Sequence, residues 1–198
     1  SRTENTSAVF DRDADYRMAV SVAENSAVLL KNEKGVLPLA KGCKAVFLGE
    51  FAEHPRYQGG GSSHVNSAKV SCALEHAPGV AYAQGYRTDE DTVDPALEQA
   101  AVAAAADAEV AVIFAGLPER YESEGYDRTT LAMPENQNHL IAAVAAVQPN
   151  TVVVLHNGSA IEMPWVNDVP AVLELYLAGD RDLPPEAERH PGLPFLPR

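Results

Sequence analysis

The chain has 198 residues, 46% of them hydrophobic, and a formal net charge of −13. That length holds one substantial core, and the apolar residues fall in short segments, none of which is long enough to span a bilayer as a helix. The acidic balance disfavours a nucleic-acid partner, which needs a basic face, and suits a neutral or cationic ligand, although most of the charge serves to hydrate the surface.

The opening Ser1-Arg2-Thr3-Glu4-Asn5 lacks the basic-then-apolar pattern of a signal peptide, and residues 1–12 read as a linker. Across residues 13–31, Ala19, Val22, Ala23, Ser26 and Leu30 recur at intervals of three or four, which predicts an amphipathic helix covering a sheet. Gly35 and Pro38 interrupt the chain, and Ala45-Val46-Phe47-Leu48-Gly49 then reads as a buried strand. Gln58-Gly59-Gly60-Gly61-Ser62-Ser63 is expected to be an exposed loop, and Gly79-Val80-Ala81-Tyr82-Ala83 a short strand. Asp94-Pro95 has the form of a helix start, with Asp94 capping free amides and Pro95 at the first helical position of an Ala-rich run through Asp107.

Val110-Ala111-Val112-Ile113-Phe114-Ala115-Gly116 is almost continuously apolar, the pattern of a parallel strand buried on both faces. After Pro134, the spacing of Leu140, Ala143, Val144 and Val147 predicts a helix, and Thr151-Val152-Val153-Val154-Leu155 returns to strand character. Residues 171–177 supply a further strand, whereas five prolines after Leu183 oppose regular structure and predict an extended tail. Alternating helices and strands predict an α/β fold, a doubly wound, mostly parallel-sheet sandwich over residues 13–179, with a divergent Pro-rich tail at 180–198.

Chemically suggestive residues concentrate in Glu122-Ser123-Glu124-Gly125-Tyr126-Asp127-Arg128, placed after the most apolar strand. In an open α/β sheet, ligands gather beyond the carboxyl ends of strands. Clustered carboxylates can keep one acid protonated near neutral pH. Standing alone, Glu119, Glu122, Glu124 and Asp127 also fit a merely solvated acidic loop, and Gly125 leaves the relative orientation of Glu122 and Glu124 open. Asp127 and Arg128 are expected to order the loop by an ion pair.

Other chemistries find little support. The Gly-rich loop lacks a dinucleotide fingerprint, a P-loop ending and a G-x-S-x-G elbow, so His64 beside Ser63 does not make a hydrolase triad. His54, His76, His139, His156 and His190 show no metal spacing, and Trp165 reads as a packing anchor. Cys43 and Cys72 form no paired motif and read as isolated buried thiols, which leaves a cytoplasmic or a secreted location open. No metal and no cofactor is called for.

Val28-Leu29-Leu30-Lys31-Asn32-Glu33-Lys34-Gly35-Val36-Leu37-Pro38-Leu39 strongly resembles the opening of the C-terminal α/β sandwich domain of family 3 glycoside hydrolases. In the same order follow residues 58–63, Glu124-Gly125-Tyr126-Asp127-Arg128, Met133-Pro134 with Gln137, residues 152–158, and Pro164-Trp165. The resemblance implies a retaining glycosidase of the β-glucosidase type, in which a barrel domain supplies an Asp nucleophile and the sandwich often supplies the acid/base Glu. It points to Glu124 as acid/base, with Glu122 as the alternative, and to a terminal β-D-glycoside or oligosaccharide as substrate; residues 58–63 offer Ser62 and Ser63 as sugar contacts or serve only as a connecting turn. It also implies a missing N-terminal barrel, so the chain by itself is expected to be inactive; a noncatalytic carbohydrate-binding or interaction domain is the competing reading. The pattern stops after Leu175-Tyr176-Leu177-Ala178-Gly179, where Asp180 begins charged and Pro-rich sequence, so the sandwich is expected to be incomplete at its C-terminus and open to self-association.

Overall fold

The computed structural model describes residues 11–67 and 70–177. The expected linker at 1–12 and tail at 180–198 therefore lie outside the described residues, apart from Asp11 and Arg12, which begin a helix. Asp11 accepts the Ala14 amide at 3.0 Å and caps α1, Arg12–Ser26.

The helix predicted through residue 31 stops at Ser26, and Val28–Asn32 forms strand β1 instead. Leu30 continues the helical spacing by coincidence, but β1 finds an antiparallel partner in β6, Ala171–Glu174, and pairing overrides the local pattern. Nor does α1 cover a sheet as expected. Val20 alone of its residues is buried, while Met18 and Val22 are 66% and 58% exposed.

The other strands are β2, Ala45–Leu48; β3, Ala81–Ala83; β4, Val110–Gly116; and β5, Thr151–His156. They join in the order β1-β6-β5-β4-β2-β3, parallel except for β1. Every residue of β5 and all but the first of β4 are buried, so both faces of the sheet centre are covered, as their unbroken apolarity requires. Phe47 and Phe114 meet edge to face with ring centres 5.1 Å apart.

Helix α2, Pro95–Ala106, starts as the sequence predicts: the Asp94 carboxylate accepts the amides of Ala96 and Leu97 at 3.0 and 3.2 Å. It turns Ala101 and Ala105 into the core and lies against α3, Glu135–Val147. Leu140, Ile141 and Val144 form the buried face of α3, whereas Val147, predicted on that face, is exposed at the last turn. Gln137 is fully buried and its side-chain oxygen accepts the Gly116 amide at 2.8 Å, closing the end of β4. Trp165 is a buried anchor whose indole donates to Asn138 at 2.9 Å.

Successive connections run from β2 outward to β3, then back past β2 to β4. The reversal leaves the carboxyl ends of β2 and β4 flanking a crevice, the place where ligands collect in open α/β sheets.

Candidate active site

Three loops converge at that crevice. One leaves β2 and carries Arg56 and the Gly-rich segment, one leaves β4 and carries the acidic run, and one leaves β5 at Asn157-Gly158-Ser159. Their meeting point is Glu122.

Arg56 is 8% exposed, and its guanidinium donates to the Glu122 carboxylate, to the Leu117 carbonyl at 2.8 Å and to the Glu122 carbonyl at 3.3 Å. The Gly158 amide donates to Glu122 Oε2 at 2.9 Å, and the Ser159 hydroxyl donates to Glu122 Oε1. Burial pushes the Glu122 carboxyl up, but Ser159, Gly158 and Arg56 together outweigh it and hold the group below the usual glutamate range. A carboxylate with three donors and only 14% of its side chain exposed is committed to its ionised form.

Glu124, two residues on, lies in the opposite environment. It is exposed and meets the Gly-rich loop, where its Oε2 accepts the Ser62 amide at 3.0 Å. Hydrogen bonding by Ser62, through its side chain and its amide, holds the Glu124 carboxyl below its ordinary value. No cation is paired with it among the described residues. The loop it touches is less open than predicted, because Gly60 is buried and residues 61–63 form a single tight turn.

Close approach explains the glycines. A Cβ on Gly60 would sit 2.8 Å from Ser123 Oγ, and one on Gly61, which has φ +77°, would sit 2.7 Å from Glu124 Cβ. Two motifs separated by about sixty residues thus form one surface. Ser63 bonds internally, its hydroxyl donating to the Gly60 carbonyl at 3.0 Å.

The rest of the acidic run orders the loop. Arg128 does so without the predicted Asp127 ion pair, donating instead to Ser159 Oγ at 2.8 Å and to the Ala160 carbonyl at 2.5 Å. Tyr126 donates to the Arg120 carbonyl at 2.5 Å, and Arg120 pairs with Asp91 at 2.7 Å. Glu119 lies 3.0 Å from His64 Nε2. An open cavity of about 720 Å³ borders this loop, with Tyr121, Tyr126, Arg128 and Ser159 in its wall. Cys43 and Cys72 are free and half-buried, less enclosed than predicted. Among the described residues no group of three His, Cys, Asp or Glu side chains could hold a metal ion.

Arg56, Ser159 and, behind them, Asn157 with Glu174 were invisible as site residues in the sequence. The Asn157 amide donates to Glu174 Oε2 at 3.0 Å and to the Ser159 carbonyl at 3.1 Å, and burial pushes the Glu174 carboxyl up to about 6. An Arg beside a Gly-rich loop reads as surface until an acid is known to reach it. Asn-Gly-Ser after a strand reads as a turn.

Of the two glutamates, Glu122 is locked among three donors and Glu124 is held by Ser62 alone among the described residues. Alone, Glu124 rests ionised. Acting as an acid requires its proton affinity to rise, which a second carboxylate or exclusion of water by a bound sugar supplies.

The sequence model of the glycosyl hydrolase family 3 C-terminal domain matches residues 27–187. The chain is 49% identical over 179 residues to thermostable beta-glucosidase B of Acetivibrio thermocellus, covering 87% of this chain and 24% of that protein. It is 43% identical over 193 residues to an exo-alpha-(1->6)-L-arabinopyranosidase of Bifidobacterium longum, covering 90% of this chain and 26% of the relative. Among solved structures, a family 3 beta-glucosidase of Bifidobacterium adolescentis superposes with a TM-score of 0.84 at 42% identity, over 90% of this chain and 27% of the other. The chain thus spans about a quarter of the length of these relatives.

Proposed function

Because the chain belongs to glycosyl hydrolase family 3, matching its C-terminal domain, we propose that it supplies the acid/base carboxylate, Glu124, of a retaining glycosidase. Its nucleophile then lies on an N-terminal barrel. The observation that carries this is the contrast within one loop: Glu122 is bound by Arg56, Gly158 and Ser159, whereas Glu124 is exposed at the crevice. A carboxylate paired to a buried guanidinium cannot hold the proton that an acid must deliver without leaving that guanidinium unpaired.

In the proposed reaction Glu124 gives its proton to the glycosidic oxygen as the barrel carboxylate bonds to the anomeric carbon. Glu124 then takes a proton from the water that releases the sugar with retained configuration. Such a pair stands about 5–5.5 Å apart. The negative charge of the second carboxylate at that distance raises the proton affinity of Glu124, which supplies the acid form that the chain lacks by itself. Ser62 steers Glu124 through its amide, and Ser62 and Ser63 are proposed sugar contacts through their hydroxyls.

The substrate class is a terminal glycoside with an equatorial glycosidic oxygen. Support comes from the names of the two relatives, since α-L-arabinopyranose and β-D-glucose both present that oxygen equatorially. Residues 13–179 form the proposed sandwich unit, and choice among sugars falls to the barrel.

The test compares this chain with the same chain joined to its barrel on an aryl β-glucoside. Turnover by the joined protein, none by the 198 residues alone, and loss in Glu124→Gln are expected. Reproducible sugar binding without turnover in the joined protein favours the noncatalytic reading.

A further inference from the structure

The acidic loop leaves β4 and returns, and both of its ends reach the same atom. Glu122 at its start accepts a hydrogen bond from Ser159 Oγ, and Arg128 at its end donates to Ser159 Oγ at 2.8 Å. A hydroxyl has one proton to give and lone pairs to accept with, so a single serine can hold an anion and a cation together. Between these ends the tip carries Glu124, which Ser62 holds from across the crevice through its side chain and its amide.

We propose that Ser159 is a positioning residue whose one hydroxyl closes the 122–128 loop at both ends and so sets the reach of Glu124 toward a bound sugar. This rests on the reading of Glu124 as acid/base. Compact loops with neighbouring ends are held by such internal contacts, and pinning both ends removes most of the freedom of the tip. Ser159 is itself held: Asn157 Nδ2 donates to its carbonyl at 3.1 Å and to Glu174 Oε2 at 3.0 Å, and Asn157 and Glu174 are buried at the ends of β5 and β6. The pin is thus fixed to the sheet, and the loop to the pin. Arg56 binds the start of the loop as well, but it does not reach Arg128, so among the described residues Ser159 alone joins the two ends by hydrogen bonds.

The first test uses the 198-residue chain and needs no catalysis. The Ser62 amide reports whether Glu124 is in place, and its exchange with water is read by NMR. Ser159→Ala is expected to speed that exchange about tenfold, as for loss of hydrogen bonds to charged partners, while Ser159→Thr, which keeps the hydroxyl, restores it. Unchanged Ser62 exchange in Ser159→Ala overturns the proposal. So does acceleration that spreads to the amides of β4 and β5, because that is loosening of the fold and not of the loop.

The second test uses the chain joined to its barrel. Misplaced proton donation harms departure of a poor leaving group more than that of an acidic phenol, which needs little protonation. Ser159→Ala is expected to lower kcat/KM for an alkyl glycoside about tenfold more than for a dinitrophenyl glycoside, with recovery in Ser159→Thr. Equal losses on both substrates overturn the proposal. If Glu124→Gln shows no leaving-group dependence, the acid/base reading fails, and the Ser62 exchange then decides the pin by itself.

Discussion

Glu122 and Glu124 share one loop and a spacing of two residues, yet they differ in almost every physical respect. The root of the loop is half-buried, ion-paired to the buried Arg56 and tied to the loops that leave β2, β4 and β5. The tip is exposed and rests on Ser62 of the Gly-rich loop. An acid that moves a proton must be free to change charge, and the residue that aims it must not be. The root and the tip divide those tasks.

The largest expected effect lies at the tip. In the joined protein, Glu124→Gln lowers kcat for an alkyl glycoside by about 10²–10⁴-fold and leaves the urea midpoint unchanged. A loss confined to KM would place Glu124 in binding instead of proton transfer.

The next falls at the root, on stability. Arg56→Met strands the Glu122 carboxylate and costs about 3–5 kcal/mol in urea denaturation, and most of this returns when Glu122→Met is added. If the double variant is as unstable as the single one, the Arg56–Glu122 pair does not hold the root of the loop.

Only part of this division was legible in the sequence. β4, β5 and the Asp94-Pro95 helix start were readable because buried parallel strands are apolar throughout and caps are local. The placement of the acidic run after β4 followed from the same pattern. Arg56, Ser159 and Glu174 were not readable, because their roles arise from contacts across 66, 37 and 17 residues. Nothing local distinguishes a buried Arg from an exposed one. β1 was missed for a related reason: its partner β6 lies far along the chain, while Leu30 fits a helical spacing nearby.

A smaller effect tests the ground behind the root. The folded-state value of Glu174, about 6, lies above its ordinary 4.5. Its contribution is therefore full below the ordinary value and is lost as pH rises through about 6. Between these limits the chain should lose up to about 2 kcal/mol, and Glu174→Gln should remove that slope. A flat wild-type profile over this window would show that Glu174 titrates as an ordinary surface acid.

The weakest effect is expected far from the crevice. Leu29 and Leu30 on edge strand β1 are 51% and 50% exposed, so Leu29→Lys should shift stability by less than about 0.5 kcal/mol. It should also reduce any self-association seen by light scattering. A large loss of stability would mean that this edge is packed, and the contrast with the crevice would narrow.

The most direct test of the division between root and tip is azide rescue in the joined protein. Dinitrophenyl glycosides load the nucleophile without an acid, and azide, unlike water, needs no base to attack the anomeric carbon and displace the enzyme carboxylate. Glu124→Ala should recover turnover with added azide and release the glycosyl azide of retained configuration, while Glu122→Ala should show no such rescue. Azide rescue of Glu122→Ala, with none for Glu124→Ala, would contradict the assignment.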